Sequence, residues 1–326
     1  MSNLNISKKI LHWYDLNKRT LPWRNQVSSF KRQYYTLVSE FMLQQTQVAT
    51  VIPYFLKFTK IIPDLHSLSK VKNTKLIKLW EGLGYYSRAR NLKKTSQIII
   101  KNFNGKIPDN YEDLKSLPGI GDYTASAILA IAFNKPIIPL DGNIERVLKR
   151  FLYLKKDNEI QKEYLLEKKN IFGASSRSSD YAQSLMELGA LVCKPKNPSC
   201  EKCPIKKNCL SYKKKDFELS KIIKRNKDKY FIVKVYKKDN RYLLIKNTKF
   251  KFLKNLRIFP MEELVNPKNF NENLNVKMSN MNMNIKIQYN KKDRKFPSVL
   301  WIDRNKLNNY MLPTFTKKVV KYLEKN

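Results

Sequence analysis

All four cysteines of this 326-residue chain fall in one short stretch, as Cys193, Cys200, Cys203 and Cys209, spaced C-x6-C-x2-C-x5-C. Segments of unequal length around a single C-x2-C turn let four thiolates converge on a compact cubane, which suits one 4Fe-4S cluster better than a set of disulfides. Zinc is the alternative, because four thiolates also fit a tetrahedral ion. Structural zinc sites, however, usually bring two short pairs, and only one C-x-x-C occurs here. A chain of this length buries its own core without covalent staples, so a disulfide framework is not expected.

The length suits two or three domains, and 42% apolar residues supply real cores. No run approaches the roughly 20 apolar residues of a membrane-spanning helix. Met1 to Lys9 is polar and leads into an amphipathic stretch around Ile10 to Leu16, without the apolar centre of a signal peptide. The chain therefore reads as a soluble protein of a reducing cytoplasm with no membrane partner. Lys and Arg number 65 against 27 Asp and Glu, a formal charge of +38, for which polyanions, nucleic acid first, are the natural partners. Charge alone names no site, because Lys, Asn and Ile are abundant together, as in chains encoded by A+T-rich DNA.

Apolar positions recur at helical spacing over Leu37 to Phe58, Thr74 to Trp80, Arg88 to Ile100, Tyr111 to Ser116, Thr124 to Phe133, Asn143 to Leu152 and Tyr181 to Val192. Residues 1–212 are thus expected to be all-α. Lys213 to Lys229 holds eight Lys or Arg and three acids with few large apolar side chains, the composition of a solvated linker. Beyond it the texture changes. Tyr230 to Tyr236 and Tyr242 to Ile245 are short β-type runs, Asn284 to Tyr289 alternates, and Pro313 to Leu323 reads as a closing helix, so residues 230–326 form a separate α/β module.

Between two helical segments lies Leu117-Pro118-Gly119-Ile120-Gly121-Asp122-Tyr123-Thr124. Glycines two apart leading into a helix start present bare N–H groups to a phosphate oxygen, the signature of a helix-hairpin-helix, although Gly also serves tight turns on steric grounds alone. About twenty residues on, Pro139-Leu140-Asp141-Gly142-Asn143 places Asp141 just ahead of a helix, where an Asp is commonly a cap.

In this order, the hairpin, the aspartate and the cysteine motif resemble the helix-hairpin-helix DNA glycosylase superfamily with its Fe-S loop, over most of residues 10–212. Ser39-Glu40-Phe41-Met42-Leu43-Gln44-Gln45-Thr46-Gln47-Val48 is similar to the motif of adenine DNA glycosylases, the MutY family, which remove adenine mispaired with 8-oxoguanine. Leu21-Pro22-Trp23-Arg24, Gly82-Leu83-Gly84-Tyr85-Tyr86-Ser87-Arg88-Ala89-Arg90 and Glu187-Leu188-Gly189-Ala190-Leu191-Val192-Cys193 match as well. The fold implied is mainly α: a two-lobed helical core with a 4Fe-4S loop, followed by a C-terminal α/β Nudix-like domain.

Adenine leaves poorly as an anion, so its removal calls for an acid on the ring nitrogen and a carboxylate beside the cationic sugar. The resemblance assigns Glu40 the first role and Asp141 the second, with Tyr123 and Asn143 hydrogen-bonding around Asp141 and the sugar. Phe41, Met42 and Leu43 around Glu40 are expected to raise its pKa by desolvation. Tyr123 stands where bifunctional relatives carry a Schiff-base lysine, which implies a monofunctional hydrolase. Gln45, Thr46, Leu83 and Tyr85 match wedge and lesion-contact positions, with Tyr86 expected in the core. Trp23 and Arg24 match residues near the adenine pocket, Gly119 and Gly121 the hairpin contact to phosphate, and Lys194, Lys196, Lys202, Lys206 and Lys207 make the cysteine loop a DNA-docking surface. His12 and His66 lie outside every motif.

In the C-terminal module, Tyr242 to Ile245 and Leu256 to Met261 resemble the family's lesion-recognition domain. No R-E-x-x-E-E run follows, so diphosphate hydrolysis is not expected. Met278-Ser279-Asn280 keeps only the serine of the family's Phe-Ser-His probe, making Ser279 the candidate contact to 8-oxoguanine. The partner implied is duplex DNA holding an A:8-oxoguanine or A:G mispair, bound by a cytoplasmic, nucleoid-associated monomer. The alternatives are an endonuclease III-like glycosylase-lyase for oxidised pyrimidines and a catalytically inactive Fe-S DNA-binding relic.

Overall fold

The computed structural model describes residues 3–25, 27–155, 159–219, 226–265, 267–278, 281–290, 296–310 and 312–325. It forms two compact units, Met1–Val71 with Ser87–Ile222 and Lys72–Tyr86 with Ile223–Asn326. Among the described residues no helix is long and apolar enough to cross a membrane.

The first unit is helical: α1 (Asn3–Asn17), α2 (Ser29–Leu43), α3 (Val48–Ile61), α4 (Leu65–Lys70), α6 (Ser87–Asn102), α7 (Tyr111–Ser116), α8 (Asp122–Phe133), α9 (Gly142–Leu152), α10 (Glu159–Lys168), α11 (Ser178–Glu187) and α12 (Leu210–Lys213). Between α4 and α6 in chain order, α5 (Asn73–Leu79) belongs to the second unit. Two lobes follow from the packing. In one, α2 lies on α3 and α8, and α4 on α6. In the other, α1 returns against α11, and Ile10, Tyr14, Ile144, Leu148, Phe172, Leu185 and Leu188 share a core with Ile205 of the cysteine loop.

The stretch 37–58, expected to be helical throughout, is two helices. Its apolar period runs on through Val51, Phe55 and Phe58, but the chain turns at 44–47 and Gln45 takes φ 56°. The period persisted because both helices bury the same face, and the turn is imposed by tertiary hydrogen bonds. The amphipathic stretch Ile10 to Leu16 lies within α1, whereas α4 and α10 carry no helical period that stands out in the sequence.

Three local devices shape the helical lobes. Gly119, at φ 82°, passes so close to α6 and α2 that a Cβ there would lie 2.9 Å from Asn91 Cβ and 3.0 Å from a Phe41 ring carbon. Thr95 of α6 donates to Pro118 O at 2.9 Å, so the hairpin turn is fixed to that helix. After α11 the chain widens into a π-helix over Leu188–Val192. A Cβ on Gly189 would sit 2.6 Å from Asn143 Cβ, so only glycine lets this π-turn rest on the first turn of α9.

In the second unit, β1 (Lys227–Val235), β5 (Met261–Leu264), β6 (Leu274–Met278) and β7 (Met281–Tyr289) form a mixed sheet in the order β5-β1-β7-β6, its centre the parallel pair β1 and β7. A second sheet joins β2 (Lys237–Lys238), β3 (Arg241–Lys246) and β4 (Arg257–Ile258), with β8 (Val299–Asp303) on β3. The closing helix α13 (Thr314–Leu323) adds Phe315, Val319, Val320 and Leu323 to a core with Phe231, Leu244 and Ile285. Residues 72–86 join this unit, with Glu81 receiving Lys317 Nζ of α13 at 2.7 Å. Here Tyr86 and Leu83 are buried and Tyr85 is 42% exposed, at φ 44° after Gly84. Ser279 lies outside the described residues, between β6 and β7.

Candidate active site

The C-terminal half of α2 is buried on every side, from Thr36 through Met42, and Glu40 lies within it at 5% exposure between Leu37, Phe41 and Met42. A carboxyl group so placed loses most of its hydration. Burial pushes Glu40 up to about 7, against the opposing pull of its hydrogen bond from Tyr123, and the charge of Asp141 adds to the rise. Tyr123, in the first turn of α8, is itself pushed well above the usual phenol range by burial and by the two carboxyl groups facing it.

Asp141 occupies the N-cap of α9 with extended backbone (φ −89°, ψ 171°). Its Oδ1 accepts from the N–H groups of Asn143 at 3.1 Å and Ile144 at 2.7 Å, and its Oδ2 from Asn143 Nδ2 at 2.7 Å. Burial raises this carboxyl too, opposed by these hydrogen bonds and by Arg146. The contrast with Glu40 is one of support: three donors and a helix N-terminus favour the anion at Asp141, whereas at Glu40 burial outweighs one phenol and the charge of Arg24. Glu40 is therefore the group that exchanges its proton near neutral pH, and Asp141 the one whose anion is held by direct donors.

Both carboxyl groups open onto one cavity of about 710 Å³, inside the range of roughly 300–1,000 Å³ usual for small-molecule sites. Its wall includes Trp23, Arg24, Gln45, Thr46, Gly121, Tyr123 and Asn143, so most of the site residues expected from sequence meet in one place. Gly119 does not line it, and packs instead on Asn91 and Phe41. Leu83 and Tyr85 lie in the second unit.

Sequence reasoning assigned no role to Glu187, although it stands in a matched motif. Glu187 is fully buried at the end of α11 and receives Arg19 Nε and Nη2 at 2.8 and 2.7 Å and Arg24 Nη2 at 3.0 Å. Burial would push its carboxyl up, but the two guanidinium groups outweigh it and hold it below the usual range. Arg24 is thereby clamped at the cavity wall, and its buried Nε has no hydrogen-bond partner among the described residues. Arg146 was also missed. Its Nη2 donates to Asn143 Oδ1 and Gly189 O, each at 2.8 Å, and its Nε to Cys193 O at 2.7 Å.

The four cysteines form no disulfide and lie near enough that Cys193, Cys200 and Cys209 all influence Cys203, whose thiol is pushed up to about 12, chiefly by burial. Arg150 of α9 secures the loop by donating to Lys194 O at 2.6 Å and Pro195 O at 2.9 Å, with Nη1 3.5 Å from Cys193 Sγ. Among the described residues no group of three or more His, Cys, Asp or Glu is placed to hold a metal ion. The donor set of the loop is four thiols with no histidine or carboxylate, which by its chemistry fits an iron–sulfur cluster or a tetrahedral zinc ion.

The Glu40 shift carries a stability consequence. Between pH 4.5 and about 7 the unfolded chain releases the Glu40 proton while the folded chain keeps it, so stability falls as pH rises through that window. Glu40→Gln removes this penalty. Urea unfolding is expected to show the variant more stable than wild type by about 3 kcal/mol at pH 8, converging on wild type below pH 4.5.

The profile of the HhH-GPD superfamily base excision DNA repair proteins matches residues 38–170. The adenine DNA glycosylase of Buchnera aphidicola subsp. Schizaphis graminum is 36% identical over 315 residues, spanning 93% of this chain and 79% of the relative. That of Buchnera aphidicola subsp. Baizongia pistaciae is 42% identical over 213 residues, spanning 65% of this chain and 60% of the relative. Among solved structures, a thermostable thymine-DNA glycosylase superposes with a TM-score of 0.58 at 26% identity, covering 65% of this chain and 97% of that one. Sequence similarity that runs through both the helical unit and the C-terminal unit places this chain in the adenine DNA glycosylase family.

Proposed function

We propose that this chain hydrolyses the N-glycosidic bond of adenine mispaired with 8-oxoguanine or guanine in duplex DNA, as a monomeric, monofunctional enzyme. The observation that carries the reading is Glu40: a carboxyl group buried to a pKa of about 7, sharing one cavity of about 710 Å³ with the well-supported carboxylate Asp141. Glu40 delivers its proton to the ring nitrogen of the extruded base, so adenine departs neutral. Asp141, held by Asn143 and the start of α9, steadies the positive charge that develops on the sugar. Once deprotonated, Glu40 is placed to accept a proton from the attacking water. Tyr123 orients Glu40 through its hydroxyl and offers no amine to the sugar carbon, which argues for hydrolysis without strand cleavage through a Schiff base.

The double helix must release its adenine into the cavity, and Gln45 and Thr46 stand at the wall where the vacated stack would be filled. Trp23 and Arg24 supply an apolar face and a clamped cation for the base. The exposed Gly121 at the N-cap of α8 suits a phosphate contact. Cys193, Cys200, Cys203 and Cys209 would hold one 4Fe-4S cluster, whose part is to shape the lysine-rich loop for DNA. The C-terminal unit would read the oxidised base through Ser279.

The direct test is single-turnover adenine release from duplexes holding A opposite 8-oxoguanine or opposite G. Wild type is expected to cleave the first faster, and Glu40→Gln to lose at least about 100-fold on both. Because the acid must be protonated, the rate should fall about tenfold per pH unit above the Glu40 pKa of about 7. Undiminished cleavage by Glu40→Gln would remove it from the mechanism, and equal rates on the two duplexes would take lesion reading away from the second unit. For the cluster, anaerobically purified protein is expected to contain about four iron and four sulfide per chain and to lose both in Cys203→Ser. One zinc per chain and no sulfide would establish the tetrahedral-ion reading instead.

A further inference from the structure

The helix carrying Glu40 ends without a local reason. No glycine or proline occurs from Phe41 to Gln47, yet α2 stops at Leu43 and Gln45 is held at φ 56°. A non-glycine side chain stays in that region only where its surroundings hold it there. The holder is Arg88, in the first turn of α6 and buried. Its Nη1 lies 3.2 Å from Phe41 O, 2.6 Å from Met42 O and 2.6 Å from Gln44 O. The first two are last-turn carbonyls that the helix cannot satisfy itself, and the third belongs to the residue before the left-handed turn. A buried cation at a helix C-terminus is also favoured by the helix dipole. From the other side, Gln44 Nε2 donates to Gly119 O at 3.2 Å and reaches Thr124 Oγ1 at 3.4 Å, tying the same turn to the hairpin.

We propose that Arg88 is the positioning residue for base extrusion: by collecting the carbonyls of Phe41, Met42 and Gln44 it stops α2 and aims the exposed Gln45 side chain from the cavity wall into the DNA stack. The inference rests on the proposed role of Gln45 as the wedge. Arg88 touches neither base nor sugar. It acts through the backbone of the turn, and only four residues lie between Glu40 and the wedge, so one guanidinium sets where the stack is filled relative to where the acid waits.

The test uses the full chain in a Glu40→Gln background, which blocks cleavage, and a duplex with 2-aminopurine at the target position opposite 8-oxoguanine. Fluorescence rises as that base leaves the stack. Gln45→Ala and Arg88→Lys are both expected to slow the rise about tenfold, since a lysine keeps the charge but its side chain ends one bond short of the position from which Nη1 reaches the three carbonyls. Affinity for undamaged duplex, a phosphate-dominated quantity, should stay within about twofold. Arg88→Gln should slow the rise at least as much as Arg88→Lys, and agreement between the two guards against one variant's misfolding. A normal rise in both Arg88 variants while Gln45→Ala is slow would overturn the role of Arg88 alone. Equal losses in extrusion and in undamaged-duplex affinity would reduce Arg88 to a fold-supporting residue. A normal rise in Gln45→Ala would remove the wedge role and the proposal with it.

Discussion

The burial of one carboxyl group, Glu40, is the constraint around which the helical unit is arranged. An acid taken out of water is costly, and Glu40 lies in the buried half of α2 with only the Tyr123 phenol and the charge of Arg24 to favour its anion. That cost is carried by the packing of α2 on α3 and α8. A better hydrogen-bonded Glu40 would stabilise the fold and ionise at lower pH. The same environment that weakens the protein at neutral pH keeps a proton available there, a trade between stability and chemistry common in active sites.

Helix α9 performs the complementary task. Its N-cap, Asp141, is the carboxylate with ample support, and the residues one turn apart along it face outward to other elements. Asn143 holds Asp141, Arg146 holds Asn143 and the carbonyls of Gly189 and Cys193, and Arg150 holds the backbone of the cysteine loop. One rigid helix thus joins the ionised carboxylate to the loop that would carry the cluster. Gly189 completes the arrangement, because the π-turn can approach Asn143 only where no Cβ intervenes.

Chemistry that demands particular residue types in a short window was legible in the sequence. Glu40, Asp141, Tyr123, the hairpin glycines and the four cysteines belong to local motifs, and the cavity does gather the first three. The helices with a strong apolar period were legible for the same reason. What escaped was set by distant partners. Arg24 meets Glu187 across 163 positions, and no local pattern announces that pair. The break between α2 and α3 depends on Arg88, 44 positions from Gln44, while the apolar period runs on through the turn. The grouping of residues 72–86 with the C-terminal unit has the same origin, in contacts such as Glu81 with Lys317. Hydrophobic periodicity reports which face is buried and is silent on where a side chain elsewhere will cap a helix.

The proposed chemistry depends most on the protonation state of Glu40, which can be read directly. Carboxyl 13C chemical shifts of Glu-labelled protein, with Glu40→Gln identifying the resonance, would follow this one group through a pH titration. The structure predicts a midpoint near the value of about 7 set by its burial. A midpoint near the ordinary glutamate value of about 4.3 would contradict it, because Glu40 would then be ionised at neutral pH and could not serve as the acid.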